Sequence, residues 1–395
     1  MRVLLISSGS GSRGGGEIYL HLLARGLKEL GHTVITLIPA HARMDELAEQ
    51  MGHVAEVRRF PFVATYERKS RPLGAAFDRR QQHQSAQIMA EIGADIIHVN
   101  QQVSEDGLDL LIAANRTGTP WVSTIHVGWG ASDLGAQFGV IRDVASKRVL
   151  RSLNGLHIAV SEASKKQLQD RLKMGSNNIH AVLNGVLPHA PSALALASVK
   201  AREDWGVSSQ DLVVGAVGRI EPQKDPIAFV ERFAEIATAN QRLHLVWIGD
   251  GGMREELERS AAKYSDRMTL IVDGWRDDAG QRLAGFDIFA LPSKFEGLPL
   301  ALLEAMHAGL PIIANRTDGV GEAITHGETG FLCQSPSDWH DAAFPLVTQP
   351  DVRETIGNAA QQVAKAHFSI ASMAKSTEDL YQVKLAQTQN GIKKP

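Results

Sequence analysis

The chain has 395 residues, 44% of them hydrophobic and 22% charged, with a net charge of −3. That length exceeds one ordinary core and suits two domains, and the charge balance argues against a general nucleic-acid binder. The single cysteine, Cys333, excludes an internal disulfide and fits a reducing compartment, and no run reaches the roughly 20 apolar residues of a membrane span.

Residues 2–7 read as a continuous apolar strand of the parallel-sheet type, too short for the apolar region of a signal peptide; the protein is expected in the cytoplasm. Gly9, Gly11, Gly14, Gly15 and Gly16 follow, then an amphipathic helix carrying Leu20, Leu23, Leu27 and Leu30, then a strand at 33–38. Strand, glycine-rich loop, helix and strand make a doubly wound opening. Gly9-x-Gly11-x-x-Gly14 has the form of the dinucleotide fingerprint, which raises an NAD-dependent oxidoreductase as a reading. That fingerprint requires an acid near the end of the second strand to hold the ribose. Here the strand ends Leu37-Ile38-Pro39-Ala40-His41, without one.

A further strand is expected at 54–62. Between residues 58 and 80 lie Arg58, Arg59, Arg68, Lys69, Arg71, Arg79 and Arg80 against Glu67 and Asp78, a net of +5 (seven minus two), interleaved with Phe60, Phe62, Tyr66 and Phe77. Two readings stand side by side: a solvated loop, or a contact with an anionic acceptor or anionic membrane surface. A helix at 86–92, a strand at 95–100, a helix at 108–114 and a strand at 120–125 follow. His126, in Thr124-Ile125-His126-Val127-Gly128, stands at the carboxyl end of that strand, where parallel sheets place ligand-facing residues. His98 and His157 also fall on strand patterns and read as structural. Ser161 is placed to cap a helix, a strand at 179–183 closes this half, and the proline-bearing stretch 188–197 reads as a linker.

The second half restarts the pattern. After a strand at 212–217 comes Gly218-Arg219-Ile-Glu-Pro-Gln-Lys224. Two cations five apart on a strand-to-helix loop can converge on a diphosphate, with the next helix N-terminus behind them. A strand at 243–248 ends in Gly249-Asp250-Gly251, and one at 268–272 leads to Asp273-Gly274-Trp275-Arg276; Trp275 reads equally as a site residue or as core. A strand at 286–291 delivers Pro292-Ser293-Lys294-Phe295-Glu296-Gly297-Leu298-Pro299. The helix after it is expected to begin at Pro299 and to stop at a left-handed cap, Ala308-Gly309. Glu304 sits in that helix among Leu302, Leu303 and Met306, where a carboxylate is costly unless something satisfies it. Unpaired amides at Leu298 to Leu300 suit a phosphate or sugar hydroxyls. Helices at 339–347, 352–366 and 373–386 complete the chain, with 387–395 frayed.

Ser293-x-x-Glu296-Gly297, then Leu303-Glu304-Ala305-Met306-x-x-Gly309-x-Pro311, resembles the signature of retaining glycosyltransferases of the GT-B fold, family 4 (glycosyl transferases group 1) type. Gly319, Glu322, Gly327, Gly330 and Phe331 fall in the same pattern, as do Thr124-x-His126, Asn184-Gly185-Val186 and Gly218-Arg219 with Lys224. Leu298-Pro299 departs from it, standing where an aromatic residue and glycine are usual.

The resemblance implies an α/β protein with two Rossmann-like doubly wound domains facing across a cleft. Residues 1–187 would bind the acceptor and 188–370 the nucleotide-sugar donor, with 371–395 a helix crossing back to the first domain. It implies sugar transfer from a nucleotide-diphosphate donor to a saccharide or lipid-linked hydroxyl, in polysaccharide, lipopolysaccharide or glycolipid synthesis, with anomeric configuration retained. His126, Arg219, Lys224 and Glu296 would serve the reaction centre. Donor contacts would come from Gly15, Gly16, Gly218, Arg219, Lys224, Gly249, Trp275, Glu296, Gly297, Leu298, Pro299, Leu300 and Glu304, the last on the ribose. UDP-sugars lead among donors, with GDP- and ADP-sugars open. No cofactor and no metal are expected, since no Asp-x-Asp pair occurs in the sequence. A nucleotide-sugar epimerase and an idle nucleotide-sugar-binding subunit share the architecture and stand as rivals.

Overall fold

The computed structural model describes residues 1–237 and 243–392. The chain divides into two compact units, Met1–Gly185 joined by the segment from Ile370 onward, and Val186–Ser369.

In the first unit the elements run β1 (Arg2–Ser7), α1 (Gly15–Glu29), β2 (Thr33–Pro39), α2 (Asp45–Gly52) and β3 (Glu56–Phe60). Then come α3 (Arg71–Phe77), α4 (Arg79–Ile92), β4 (Ile96–Val103), α5 (Leu108–Thr117) and β5 (Trp121–Val127). They continue with α6 (Gly139–Ser152), β6 (Leu156–Ala159), α7 (Glu162–Leu172) and β7 (Ile179–Ala181). The seven strands form one parallel sheet in the order β3-β2-β1-β4-β5-β6-β7. Val3, Leu4, Leu5 and Ile6 are all buried, as a strand covered on both faces requires. The Ser161 hydroxyl accepts from the Ser164 amide at 3.1 Å, so the α7 cap forms as expected.

The second unit runs α8 (Pro191–Trp205), β8 (Leu212–Val217), α9 (Pro226–Ala234), β9 (Leu243–Ile248), α10 (Arg254–Ala262), β10 (Met268–Gly274) and α11 (Ala279–Arg282). It continues with β11 (Ile288–Leu291), α12 (Leu300–His307), β12 (Ile312–Asn315), α13 (Val320–Ala323), β13 (Phe331–Cys333), α14 (Pro336–Thr348) and α15 (Pro350–His367). Its six strands are parallel, in the order β10-β9-β8-β11-β12-β13. Each sheet therefore reverses its winding at a strand flanked on both sides, β1 between β2 and β4, and β8 between β9 and β11. Such reversals open a crevice at the strands' carboxyl ends.

Three expectations need correction. The stretch 188–197 is no linker beyond its first residues: Pro191 opens α8, where its missing amide costs nothing. The helix is held at its far end by Trp205 stacked on Phe286 at 5.5 Å and by Arg202 paired with Asp287 at 2.7 Å. The tail is not frayed at 387–392, since α16 (Ile370–Ile392) continues through it; 393–395 lie outside the described residues. α16 packs on α1 within the first unit, and a Cβ at Gly26 would come within 2.7 Å of the Ala374 methyl, so that glycine sets how closely the helices approach. The third correction is small: α12 begins at Leu300, with Pro299 as its extended N-cap.

Candidate functional site

At the first reversal, the carboxyl ends of β1, β4 and β5 present a buried hydrogen-bonded network. The Asn100 amide donates from Nδ2 to the Gly16 carbonyl at 2.9 Å, which turns its Oδ1 toward His126 Nε2 at 2.8 Å. An acceptor oxygen facing Nε2 requires the proton to sit there, so Nδ1 is left as a lone-pair acceptor. Burial pushes the His126 imidazole down to about 4, which keeps the ring neutral. Tyr19 packs edge-on against it at 4.7 Å and shares a 3.0 Å hydrogen bond with Thr124 Oγ1. Thr124 in turn contacts His98 Nε2 at 2.8 Å, and His98 Nδ1 meets the Tyr381 hydroxyl of α16 at 2.7 Å. His98 is pushed down to about 3 and the Tyr19 phenol up to about 12, both by burial, so this network carries no charge.

Gly16 lies inside the first turn of α1, where a side chain would collide with Gln102. Side chains at Gly9 or Gly14 would meet the Glu17 carboxylate at 2.5 Å. Gly15 faces open space, so close packing does not account for it.

At the second reversal the groups are charged. Gly218 and Gly249 follow β8 and β9 with φ of +143° and +142°, a region L side chains rarely adopt. The Gly218 amide donates to the Ile248 carbonyl at 3.0 Å, while its own carbonyl accepts from Trp247 Nε1 at 2.8 Å. The Lys224 side chain lies across Gly218 and ends in a 2.5 Å bond to Glu296 Oε1. Backbone links fix both loops: Lys294 N donates to Gln223 O at 2.8 Å, and Gln223 Nε2 to Phe295 O at 3.1 Å. Asn315, at the end of β12, donates to the Pro292 and Ser293 carbonyls beneath them.

Arg219 is exposed, and among the described residues its guanidinium has no ion-pair partner. Among the described residues, too, the Leu300 and Ala301 amides at the start of α12 meet no acceptor, and the Glu304 carboxylate has no hydrogen-bond partner. Burial pushes the Glu304 carboxyl up to about 7. A Cβ built on Gly280 would lie 3.3 Å from Glu304 Oε1 and 3.2 Å from His189 Nε2, so a carboxylate and an imidazole converge over that glycine.

The model of the family described as glycosyl transferases group 1 matches residues 199–363, and that described as glycosyltransferase family 4 matches residues 13–189. The chain belongs to the group 1/family 4 glycosyltransferases. This glycosyltransferase is 28% identical over 299 residues to the UDP-Gal:α-D-GlcNAc-diphosphoundecaprenol α-1,3-galactosyltransferase of Escherichia coli, covering 73% of this chain and 75% of the relative. With the D-inositol 3-phosphate glycosyltransferase of Corynebacterium jeikeium it shares 27% identity over 281 residues, 67% of this chain and 66% of the relative. HepE of Anabaena, solved in complex with UDP and glucose, superposes with a TM-score of 0.78 at 21% identity, over 97% of this chain and 100% of that one. That likeness shows the GT-B fold. The dinucleotide and epimerase readings find no support among these relatives.

Of the expected site residues of this glycosyltransferase, Gly218, Arg219, Lys224, Gly249, Glu296, Gly297, Leu298, Pro299, Leu300 and Glu304 gather at the second reversal, and Gly16 and His126 at the first. Trp275 is half-buried, with its indole N–H on Asp277 at 3.1 Å, so it is not simple core. Its loop is held by the buried Arg282, which binds Asp273 and Asp204 at 2.8 Å each. The basic stretch is less basic than its count. Arg58 pairs with Glu56, Arg59 with Asp45, and Arg68 with Asp78 and Asp109, while Phe60 and Phe62 are core residues. Sequence reasoning passed over Asn100, Tyr19 and His189. Asn100 carried a signal, a polar side chain at a strand end beside β1; His189 carried none, because only folding brings it to Glu304.

Proposed function

We propose that this glycosyltransferase moves a hexosyl group from a UDP-sugar to a hydroxyl of a saccharide or lipid-linked acceptor, with anomeric configuration retained and no metal, at the cytoplasmic face of the membrane in surface polysaccharide or glycolipid synthesis. The observation that carries it is the set at the second reversal: Arg219 open to solvent, Lys224 held against Glu296, unpaired amides at Leu300 and Ala301, and Glu304 without a partner. Cations and amides suit a diphosphate, and an unpaired carboxylate suits the vicinal hydroxyls of a ribose. As the bond from the sugar C1 to the diphosphate breaks, charge grows on the departing oxygen, and Arg219 and Lys224 stabilise it. The acceptor oxygen bonds to C1 on the same face, and its proton passes to that departing oxygen. Glu296 orients the sugar, and within the first unit the bare Nδ1 of His126 is available as an acceptor to a hydroxyl group. The relatives, a galactosyltransferase using UDP-Gal and a D-inositol 3-phosphate glycosyltransferase, favour a UDP-sugar and a hydroxyl acceptor.

Thermal unfolding against UDP-, GDP- and ADP-sugars tests the donor: a ligand at a hundredfold over its Kd stabilises by about 2.7 kcal/mol. Transfer from the responding donor to saccharide and diphospholipid acceptors, with and without chelator, then tests the rest. Silence toward every nucleotide sugar sinks the donor reading. A product of inverted anomeric configuration, read from its proton coupling constant, sinks retention, and loss of turnover in chelator sinks metal independence.

A further inference from the structure

α6 turns an apolar and cationic face outward. Val140, Ile141 and Val144 are 69%, 56% and 60% exposed, and Phe138, at the helix N-cap, is 77% exposed. From Val140 the positions 144, 147 and 151 follow at four, seven and eleven residues, and 141 and 148 lie beside them, so all fall on one side of a 3.6-residue helix. That side is therefore apolar over its first turns and carries Lys147, Arg148 and Arg151 over its last. The charged residues of the other side are occupied. Arg142 pairs with Glu105, and Asp143 accepts from the Ala131 amide at 2.8 Å and the Ser132 amide at 3.0 Å. No carboxylate stands on the outward face, and among the described residues Lys147, Arg148 and Arg151 make no ion pair. α3, packed against α6, ends in Phe77, 78% exposed, with the exposed Arg79 and Arg80 just after it.

A surface helix ordinarily buries its apolar stripe and exposes its charges; here apolar side chains and unpaired cations share the exposed side. Val, Ile and Phe beside Lys and Arg, with no acid among them, is complementary to one kind of surface, a bilayer whose headgroups are anionic and whose acyl region starts a few ångströms below. We infer that the α6 face, extended by Phe77, Arg79 and Arg80, docks this protein on an anionic lipid surface. The anionic contact first suggested by the 58–80 stretch thus moves to α6 and the end of α3, because Arg58, Arg59 and Arg68 are spent on internal ion pairs. The inference stands apart from the donor assignment.

Cosedimentation of the full chain with phosphatidylcholine vesicles, and with phosphatidylcholine–phosphatidylglycerol vesicles, tests it. The protein is expected to pellet with the second and not the first, and less as salt rises. Lys147→Glu/Arg148→Glu/Arg151→Glu should lower partitioning on the order of a hundredfold. Val140→Ser/Ile141→Ser/Val144→Ser, which keeps every charge, should lower it by about tenfold. Both sets lie on the surface and should leave thermal unfolding and donor-induced stabilisation unchanged. No pelleting with anionic vesicles, or pelleting indifferent to both variants, overturns the inference. A chain that stays off vesicles but passes from dimer to monomer in the serine variant assigns the face to a second copy and overturns it equally.

Discussion

The two strand-order reversals are built alike and furnished differently. At the first, hydrogen bonds run from Gly16 through Asn100 to His126 and from Tyr19 through Thr124 and His98 to Tyr381, with Tyr19 packed edge-on against His126, and the set is neutral. At the second, Lys224 and Glu296 are paired, while among the described residues Arg219, the Glu304 carboxylate and the first amides of α12 have capacity to spare. A closed neutral network fixes the orientation of one ring and its proton. An open charged set binds little of itself and waits for a ligand that brings the missing charges and hydroxyls. On the function proposed above, the first is a positioning device and the second a receptor.

Breaking the receptor should have the largest effect. Arg219→Ala and Lys224→Ala are each expected to lower kcat on the order of a hundredfold or more, with smaller changes in donor KM. The two should part in stability. Lys224→Ala leaves Glu296 buried without its cation and costs about 3 kcal/mol in denaturant unfolding, whereas Arg219→Ala, at an exposed and unpaired site, should stay within about 0.5 kcal/mol. Equal stability losses would mean that Arg219 has an internal partner and that the second reversal is as closed as the first. Equal losses in kcat and donor binding would remove the leaving-group role.

The next effect belongs to the positioning device. Asn100→Ala strips the Gly16 carbonyl of its donor and frees the His126 proton to move to the other nitrogen. A buried group left unsatisfied costs about 1–3 kcal/mol. Turnover should fall while donor affinity, set in the other unit, holds. If kcat is unchanged, the His126 tautomer is irrelevant to the reaction. His189→Ala should do the reverse at smaller scale, weakening UDP binding several-fold, about 1 kcal/mol for one hydrogen bond, with kcat preserved. Calorimetric titration of UDP distinguishes this from no contact at all.

Much of the second reversal was legible because its chemistry is local in sequence. Gly218, Arg219 and Lys224 share one loop, and Glu296 through Glu304 one loop and helix, so each set falls within one short run where the family-like motif could be read. Asn100 with Gly16, and His98 with Tyr381, are 84 and 283 residues apart, and nothing in either stretch names the other. The same distance hid the true state of the basic stretch, whose Arg68 is neutralised in part by Asp109. α8 was misread because prolines and alanines resemble a linker until Trp205 meets Phe286. α6 was missed for another reason. A helix that exposes its apolar side gives no signal of burial.

The finest test of the contrast is the pH dependence of the free protein. Glu304 titrates near 7 when folded, against an ordinary 4.5, because burial opposes its charge and no partner offsets it. Between those values the folded chain holds a proton that the unfolded chain has released, so stability should fall as pH rises through the window and level off above about 7. His189, which converges with Glu304 over Gly280, has its own pKa lowered by burial. Glu304→Gln cannot ionise, so the variant should match the parent below 4.5 and exceed it in stability above 7. UDP should reverse the trend, because ribose hydroxyls donating to the carboxylate favour its charged form, and binding to the parent should tighten with pH while binding to the glutamine variant stays flat. Parallel unfolding curves for parent and variant would mean that Glu304 is already satisfied within the protein, and the receptor would then be as closed as the network around His126.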